Sequence, residues 1–461
     1  MSTYMNLALD EEDEDEDMDH IHGSAELLTN SYQARRRRCI CKCIAGVLLV
    51  VVVMTVFAAL ILATRRNNHN PERYKVVLVL SDGLRWDLYN VSMPNLQSMA
   101  ETGVKAKSMI PVYPTVSCPS MYSIATGLNV ENHGVVDNLA FDPINKKTYT
   151  YFDALNLTFW WDQPNVEPLW VTATRQGIGS GSMMYPGGNV PIKGILPKKF
   201  VYSGAWCWKA YPFRRRVDIV IDWLTKDKLD LVYLFLDEPD ESLHRHGIGS
   251  AEATEKIHEV NDAIGYLLQK IEETELEDIV NVIVISDHGH FMINKSINIF
   301  DYVEESDLDF IVTETGPRLL MKPKDERFAA VYEQLSKVDH VHAFKKDDFP
   351  ERFHYKNNDR ILPLIVYSDL GVSFVLGENN TSKSQHGWDN KEEAMFSVFY
   401  AKGPAFKRGY QADTIKNVDV YPLMCKLLGV HPRPNNGSFA RVQDMLLNSE
   451  PNASTTVKAY M

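Results

Sequence analysis

The second part of this sequence lacks what a nucleic-acid binder needs. The 461 residues carry 61 acids against 48 Lys and Arg, a formal charge of −13. Beyond residue 43 no basic stripe gathers to neutralise a phosphate backbone, so polymeric nucleic acid is not an expected partner. Cysteine is scarce as well. Of six, Cys39, Cys41 and Cys43 precede a long apolar run and only Cys118, Cys207 and Cys425 follow it. Three thiols permit one disulfide and leave one over, so a domain built after that run must rely on its core. No internal repeat is evident, which argues against a solenoid. Apolar residues at 45% and charged residues at 24% are ordinary for a globular chain.

The one long uncharged run is Ala45 to Ala63, 19 residues. At a helical rise it would span roughly 28 Å, close to a hydrocarbon core. It follows a polar tail of more than forty residues, too far along for a signal peptide. Arg35, Arg36, Arg37, Arg38 and Lys42 on one flank outweigh Arg65 and Arg66 on the other. The expectation is therefore a single-pass type II anchor, with a cytoplasmic N-terminus and an extracellular or lumenal domain at the plasma membrane. Glycosylation sequons at Asn90, Asn156, Asn294, Asn379, Asn380, Asn436 and Asn452 all follow the run, which agrees. The three early cysteines are candidate palmitoylation sites. The expected layout is a disordered acidic cytoplasmic tail over 1–43, an anchor over 44–64, a stalk over 65–73, a catalytic domain over 74–447 and a loose tail over 448–461.

Within 74–447 strand-like and helix-like runs alternate. Ile257, Val260, Ile264, Leu267 and Ile271 recur at three- and four-residue spacing, which gives 251–276 one apolar helical face. This helix separates the apolar runs Leu231–Leu236 and Val282–Ile285, a βαβ unit, and predicts an α/β fold with a mostly parallel sheet and helices on both faces. Chemistry collects where those strands end. Asp82 follows Tyr74 to Ser81, Asp240 follows the second run through Asp237-Glu238-Pro239, and Asp287-His288 follow the third. Ligands of open α/β sheets bind at the carboxyl ends of strands, so these acids converge on one place. With His244 and His386 they supply carboxylates and imidazoles enough for two zinc ions, the donor set of a two-metal hydrolase. His246 and His290 are read as ordinary surface or core histidines.

Such a site needs a nucleophile. Ser117 stands two residues before Pro119, a residue suited to the first turn of a helix. Read alone it is a helix cap; beside metal ligands its hydroxyl would face the positive end of a helix dipole, where an alkoxide and an anionic substrate are favoured.

The ordered motifs Ser81-Asp82-Gly83, Pro114-Thr115-Val116-Ser117, Tyr122 to Leu128, Glu131 to Asn138, Pro168 to Ala173, Glu238-Pro239-Asp240, Ser286-Asp287-His288-Gly289 and His386 to Asn390 resemble the ectonucleotide pyrophosphatase/phosphodiesterase family. The resemblance covers about Lys75 to Gly429 and implies an alkaline-phosphatase-like fold. It implies one zinc on Asp240, His244 and His386, and a second on Asp82, Asp287 and His288 with Ser117 as its nucleophilic ligand. The implied activity is hydrolysis of phosphodiester or pyrophosphate bonds of extracellular nucleotides through a covalent phospho-serine. The type II anchor fits some members, whereas the cysteine-rich and nuclease-like modules of larger members are absent.

The sequence departs from the family at the substrate pocket. Most members carry Thr-Phe-Pro-Asn where this chain has Ser117-Cys118-Pro119-Ser120. Ser120 is a shorter phosphate donor than asparagine, and Cys118 cannot stack on a base. Tyr185 stands for the family's tryptophan and Asn189 for an acid, while Tyr202 keeps the other stacking position. The expected platform is thus Tyr185 with Tyr202. Two alternatives follow: a phosphodiesterase for lipid or choline phosphodiesters, and a surface binding protein of weakened catalysis.

Overall fold

The computed structural model describes residues 51–55, 74–142, 147–150, 157–203, 209–312, 316–377 and 382–447. The chain divides into two units, Met1–Asn70 and Pro71–Met461. Of the first, only 51–55 is described, as an exposed helical segment. The localisation expected from the sequence is corrected here. Among the described residues no helix is long and apolar enough to cross a membrane. The rest of 44–64 lies outside the described residues, as do the acidic tail, the 65–73 stalk, Cys39, Cys41, Cys43, Cys207 and 448–461.

The second unit is built on an eight-stranded sheet. Its strands are β1 (Lys75–Ser81), β2 (Val104–Ala106), β3 (Ser180–Met183), β4 (Lys199–Val201), β5 (Leu231–Leu236), β6 (Val280–Ile285), β7 (Phe399–Lys402) and β8 (Tyr410–Ala412). The order across the sheet is β8-β2-β7-β6-β1-β5-β3-β4. β1 pairs in parallel with β5 and β6, as the βαβ reading requires. The sheet is nevertheless mixed, because β7 runs antiparallel to both β6 and β2. Successive strand residues point to opposite faces, so the full burial of Val76, Val77, Leu78, Val79 and Leu80 means that both faces are covered.

The helices that cover them are α1 (Pro94–Thr102), α2 (Ser117–Thr126), α3 (Leu169–Arg175), α4 (Phe213–Thr225), α5 (Asp240–His246), α6 (Ala251–Glu273) and α7 (Val420–Leu428). α6 is the helix predicted from spacing: Ile257, Val260, Ile264, Leu267 and Ile271 are all buried, and the Ser250 hydroxyl caps its start by accepting from the Ala253 N–H. α6 packs on α1 and α4, while α7 packs on α2 and β1.

A second, four-stranded antiparallel sheet was not anticipated. It comprises Leu308–Val312, Arg318–Pro323, Leu364–Ser368 and Val341–Lys345, in that order. Two satellite hydrophobic clusters accompany it beside the main core. Its Arg318 ion-pairs with buried Asp137. The next residue, Asn138, accepts from the Cys118 N–H at 2.9 Å, which fixes the start of α2. The extra sheet therefore braces the helix that carries Ser117.

Candidate active site

Parallel register brings the acids together. Leu80 lies opposite Ile285, so two residues further the pairing sets Asp82 beside Asp287. Ser81 lies opposite Leu236, and the Asp240 N–H donates to the Asp82 carbonyl at 3.2 Å. Gly83 makes this approach possible. Its φ is +72°, and a Cβ there would meet the Cα and Cβ of Asp240 at 3.0 Å.

Asp82, Asp287, His288 and Ser117 form one half of the site. One Asp287 oxygen, Oδ1, accepts from the Gly83 N–H at 3.1 Å and the His288 N–H at 3.0 Å. Its other oxygen and Asp82 Oδ1 are buried without a hydrogen-bond partner. They face His288 Nε2 at 3.3 and 3.6 Å. Ser117 is the first residue of α2, and the N-cap position before it is Val116, whose side chain makes no capping hydrogen bond. The Ser117 Oγ lies 3.2 Å from His288 Nε2.

Asp240 centres the other half, at the start of α5. His244 Nε2 lies 3.4 Å and His386 Nε2 3.6 Å from its carboxylate. His290 Nε2 is nearer still, at 2.5 Å. This histidine, read from sequence as ordinary, is fully buried within the cluster. The two halves meet where the rings of His288 and His386 stack at 3.7 Å.

The imidazoles share one arrangement. Nδ1 of His244 lies 3.0 Å from the Ser384 carbonyl, Nδ1 of His288 3.2 Å from that of Gly289, and Nδ1 of His386 3.0 Å from that of Thr115. A carbonyl only accepts, so each Nδ1 carries a hydrogen and each Nε2 is turned inward. Metal-ligating histidines are held in this way. Two positioning residues escaped the sequence reading. Thr115 ties the His386 loop to α2, donating to the Trp388 carbonyl and accepting from the Gly387 N–H, each at 3.0 Å. Ser384 donates to the Leu243 carbonyl at 2.7 Å and so joins α5 to the same loop.

Electrostatics separates the halves. Burial, then Asp287 and Asp240, push the Asp82 carboxyl well above its ordinary range. Burial would raise Asp240 too, but His244, His290 and His386 hold it well below. Burial lowers His290 to about 3 and, with His288, lowers His386. Inward-facing imidazole nitrogens and two orphaned, buried carboxylate oxygens are the donors a divalent cation requires. Two groups meet that description, Asp240-His288-His290-His386 and Asp82-Asp287-His288.

The expected base platform does not form. Tyr185 is fully buried against Trp170 and Tyr233, and its hydroxyl donates to the Met121 carbonyl at 2.6 Å. The sequence could not tell that the loop after β3 turns this ring into the core behind α2. Tyr202 is half-buried and Cys118 fully buried. Ser120, one turn along α2 from Ser117, is buried with its Oγ unpartnered. Of the sequons, Asn90, Asn294 and Asn436 are exposed. Asn156, Asn379, Asn380 and Asn452 lie outside the described residues.

An α/β sheet whose acidic strand ends meet beside a helix-borne serine defines a hydrolase of phosphate esters. The family model for type I phosphodiesterase / nucleotide pyrophosphatase matches residues 76–389, which contain every one of these side chains. Human ectonucleotide pyrophosphatase/phosphodiesterase family member 7 is 38% identical over 81% of this chain and 83% of its own length. The human bis(5'-adenosyl)-triphosphatase ENPP4 is 33% identical over 85% of this chain and 86% of its own length. The solved structure of murine ectonucleotide pyrophosphatase/phosphodiesterase 5, an inactive variant in complex with AMP, has a TM-score of 0.76 and 33% identity, covering 81% of this chain and 100% of that one.

The chain belongs to the ectonucleotide pyrophosphatase/phosphodiesterase family. It is an enzyme of the nucleotide pyrophosphatase/phosphodiesterase class, and it hydrolyses phosphodiester bonds.

Proposed function

We propose that this enzyme, with its catalytic domain over 74–447, cleaves phosphodiester or pyrophosphate bonds of nucleotides, with Ser117 as nucleophile between two zinc ions. Asp240, His244 and His386 would hold one ion, and Asp82, Asp287 and His288 the other. Bound zinc would supply Lewis acidity, lowering the pKa of the serine hydroxyl and offsetting charge on the leaving oxygen.

The chain's own residues do the rest. Ser117 Oγ gives up its proton to solvent and forms a bond to phosphorus, while the leaving oxygen departs with its electron pair and takes a proton from solvent. Water then cleaves the phospho-serine ester and restores the hydroxyl. The N-terminus of α2 faces the anionic group with the positive end of its dipole. Ser120 Oγ is free to donate to a phosphate oxygen, since nothing else claims it. The observation that carries the reading is Ser117 Oγ lying 3.2 Å from His288 Nε2, beside two orphaned carboxylate oxygens. The relatives lend support: one solved neighbour is described in complex with AMP, and another relative is named a bis(5'-adenosyl)-triphosphatase.

Burial of both Cys118 and Tyr185 favours a second substrate, a lipid or choline phosphodiester, which needs no base platform. A panel of ATP, a dinucleotide, a chromogenic nucleotide ester and glycerophosphocholine ranks the two. Ser117→Ala is expected to lower turnover of the best substrate roughly 10³-fold or more with zinc content unchanged. Turnover within tenfold of the parent protein would remove Ser117 from this role.

A further inference from the structure

His290 lies outside the ligand set just proposed, yet its nitrogen is the nearest of the three to Asp240, at 2.5 Å. Its hydrogens can be placed by inventory. Ser384 has one hydroxyl hydrogen, given to the Leu243 carbonyl at 2.7 Å. Its Oγ therefore accepts from His290 Nδ1, at 3.3 Å. With the hydrogen on Nδ1, the Nε2 lone pair points at a carboxylate oxygen. Two lone pairs at that separation repel, so the approach calls for a cation shared by both, a proton or a metal ion. His244 and His386 turn Nε2 to the same carboxylate from farther away, at 3.4 and 3.6 Å, each with Nδ1 on a carbonyl.

We propose that His290 is a third imidazole ligand of the zinc ion at Asp240, alongside His244 and His386; this rests on the two-zinc reading above. Three imidazoles and one carboxylate would give this ion four protein donors and hold it firmly, with a leaving oxygen as a fifth ligand during reaction. Asp82, Asp287 and His288 supply only three side chains and leave the next position to Ser117. The two ions therefore differ in kind. One is anchored by the protein alone, and the other is completed by the nucleophile.

A chelator titration of the zinc-loaded protein, with bound zinc counted by mass spectrometry, tests this without reference to turnover. The unaltered protein is expected to lose one zinc at low chelator and to keep the other. His290→Ala is expected to release the retained ion about 10–100-fold more readily, the usual cost of weakening a metal site. His290→Gln keeps an N–H to bond Asp240 but supplies no imidazole lone pair, and it is expected to behave like the alanine variant. Parent-like retention in His290→Gln would make His290 a positioning residue and overturn the proposal. So would an unchanged profile in both variants. Fewer than two zinc ions on the unaltered protein would overturn the parent reading as well. Should either variant fail to fold by circular dichroism, zinc-edge absorption spectra of the unaltered protein decide: imidazoles from four histidines shared by two ions are expected, and from three would refute it.

Discussion

The Asp82–Asp287–His288 half of the site and the Asp240-centred half use the same kinds of side chain in opposite proportion. The first sets two buried carboxylates against one imidazole, and Asp82 is pushed well above its ordinary range by burial and by its acidic neighbours. The second sets one carboxylate among three imidazoles, which hold it well below. A group with excess negative charge in a dry site depends on a cation. A group with a single carboxylate among three imidazoles carries less negative charge and depends on one less. The halves also differ in scaffold: the first sits on adjacent strand ends in fixed register, the second on a short helix and a loop 140 residues away in sequence, joined through Ser384.

Experiments that break this contrast can be ordered by expected effect. Asp287→Ala removes the carboxylate that receives two backbone N–H groups, and should cost one zinc and roughly a thousandfold in turnover, from several kcal/mol of lost charge stabilisation. Metal analysis beside steady-state kinetics reads both, and two retained ions would equate the halves. Thr115→Ala loosens the loop that presents His386 while leaving the ligand itself. A loss of about 10–100-fold in activity or zinc affinity is expected, confined to the Asp240 half. Equal loss at both ions would mean that Thr115 supports the fold at large. Gly83→Ala is the smallest perturbation. It forces a side chain at positive φ against Asp240 and should lower stability by about 1–3 kcal/mol, read by urea unfolding. A variant as stable as its parent would show that the two halves can separate at no cost.

Much of the first half was legible in the sequence, because apolar runs ending in Asp82 and Asp287-His288 announce buried strands and therefore a shared sheet edge. The helix over Ala251–Glu273 was legible from the spacing of Ile257, Val260, Ile264, Leu267 and Ile271. His290 was not. A histidine five residues past a strand end looks the same whether it meets solvent, core or a ligand, and only the tertiary approach of Asp240 decides. Thr115 and Ser384 were hidden for a similar reason: their contacts cross from α2 and α5 to the loop that holds His386, and no local pattern records them. Tyr185 misled because a motif position fixes neither the face of the sheet nor the direction of a ring. The antiparallel setting of β7 also left no trace, since a strand's apolar pattern does not encode its direction.

Zinc-edge anomalous diffraction from a crystal of the zinc-loaded protein tests the central claim most directly. The expected map has two peaks, one within reach of Asp240 and its histidines and one within reach of Asp82, Asp287, His288 and the Ser117 hydroxyl. A single peak, or peaks held by other side chains with Ser117 out of reach, would contradict it.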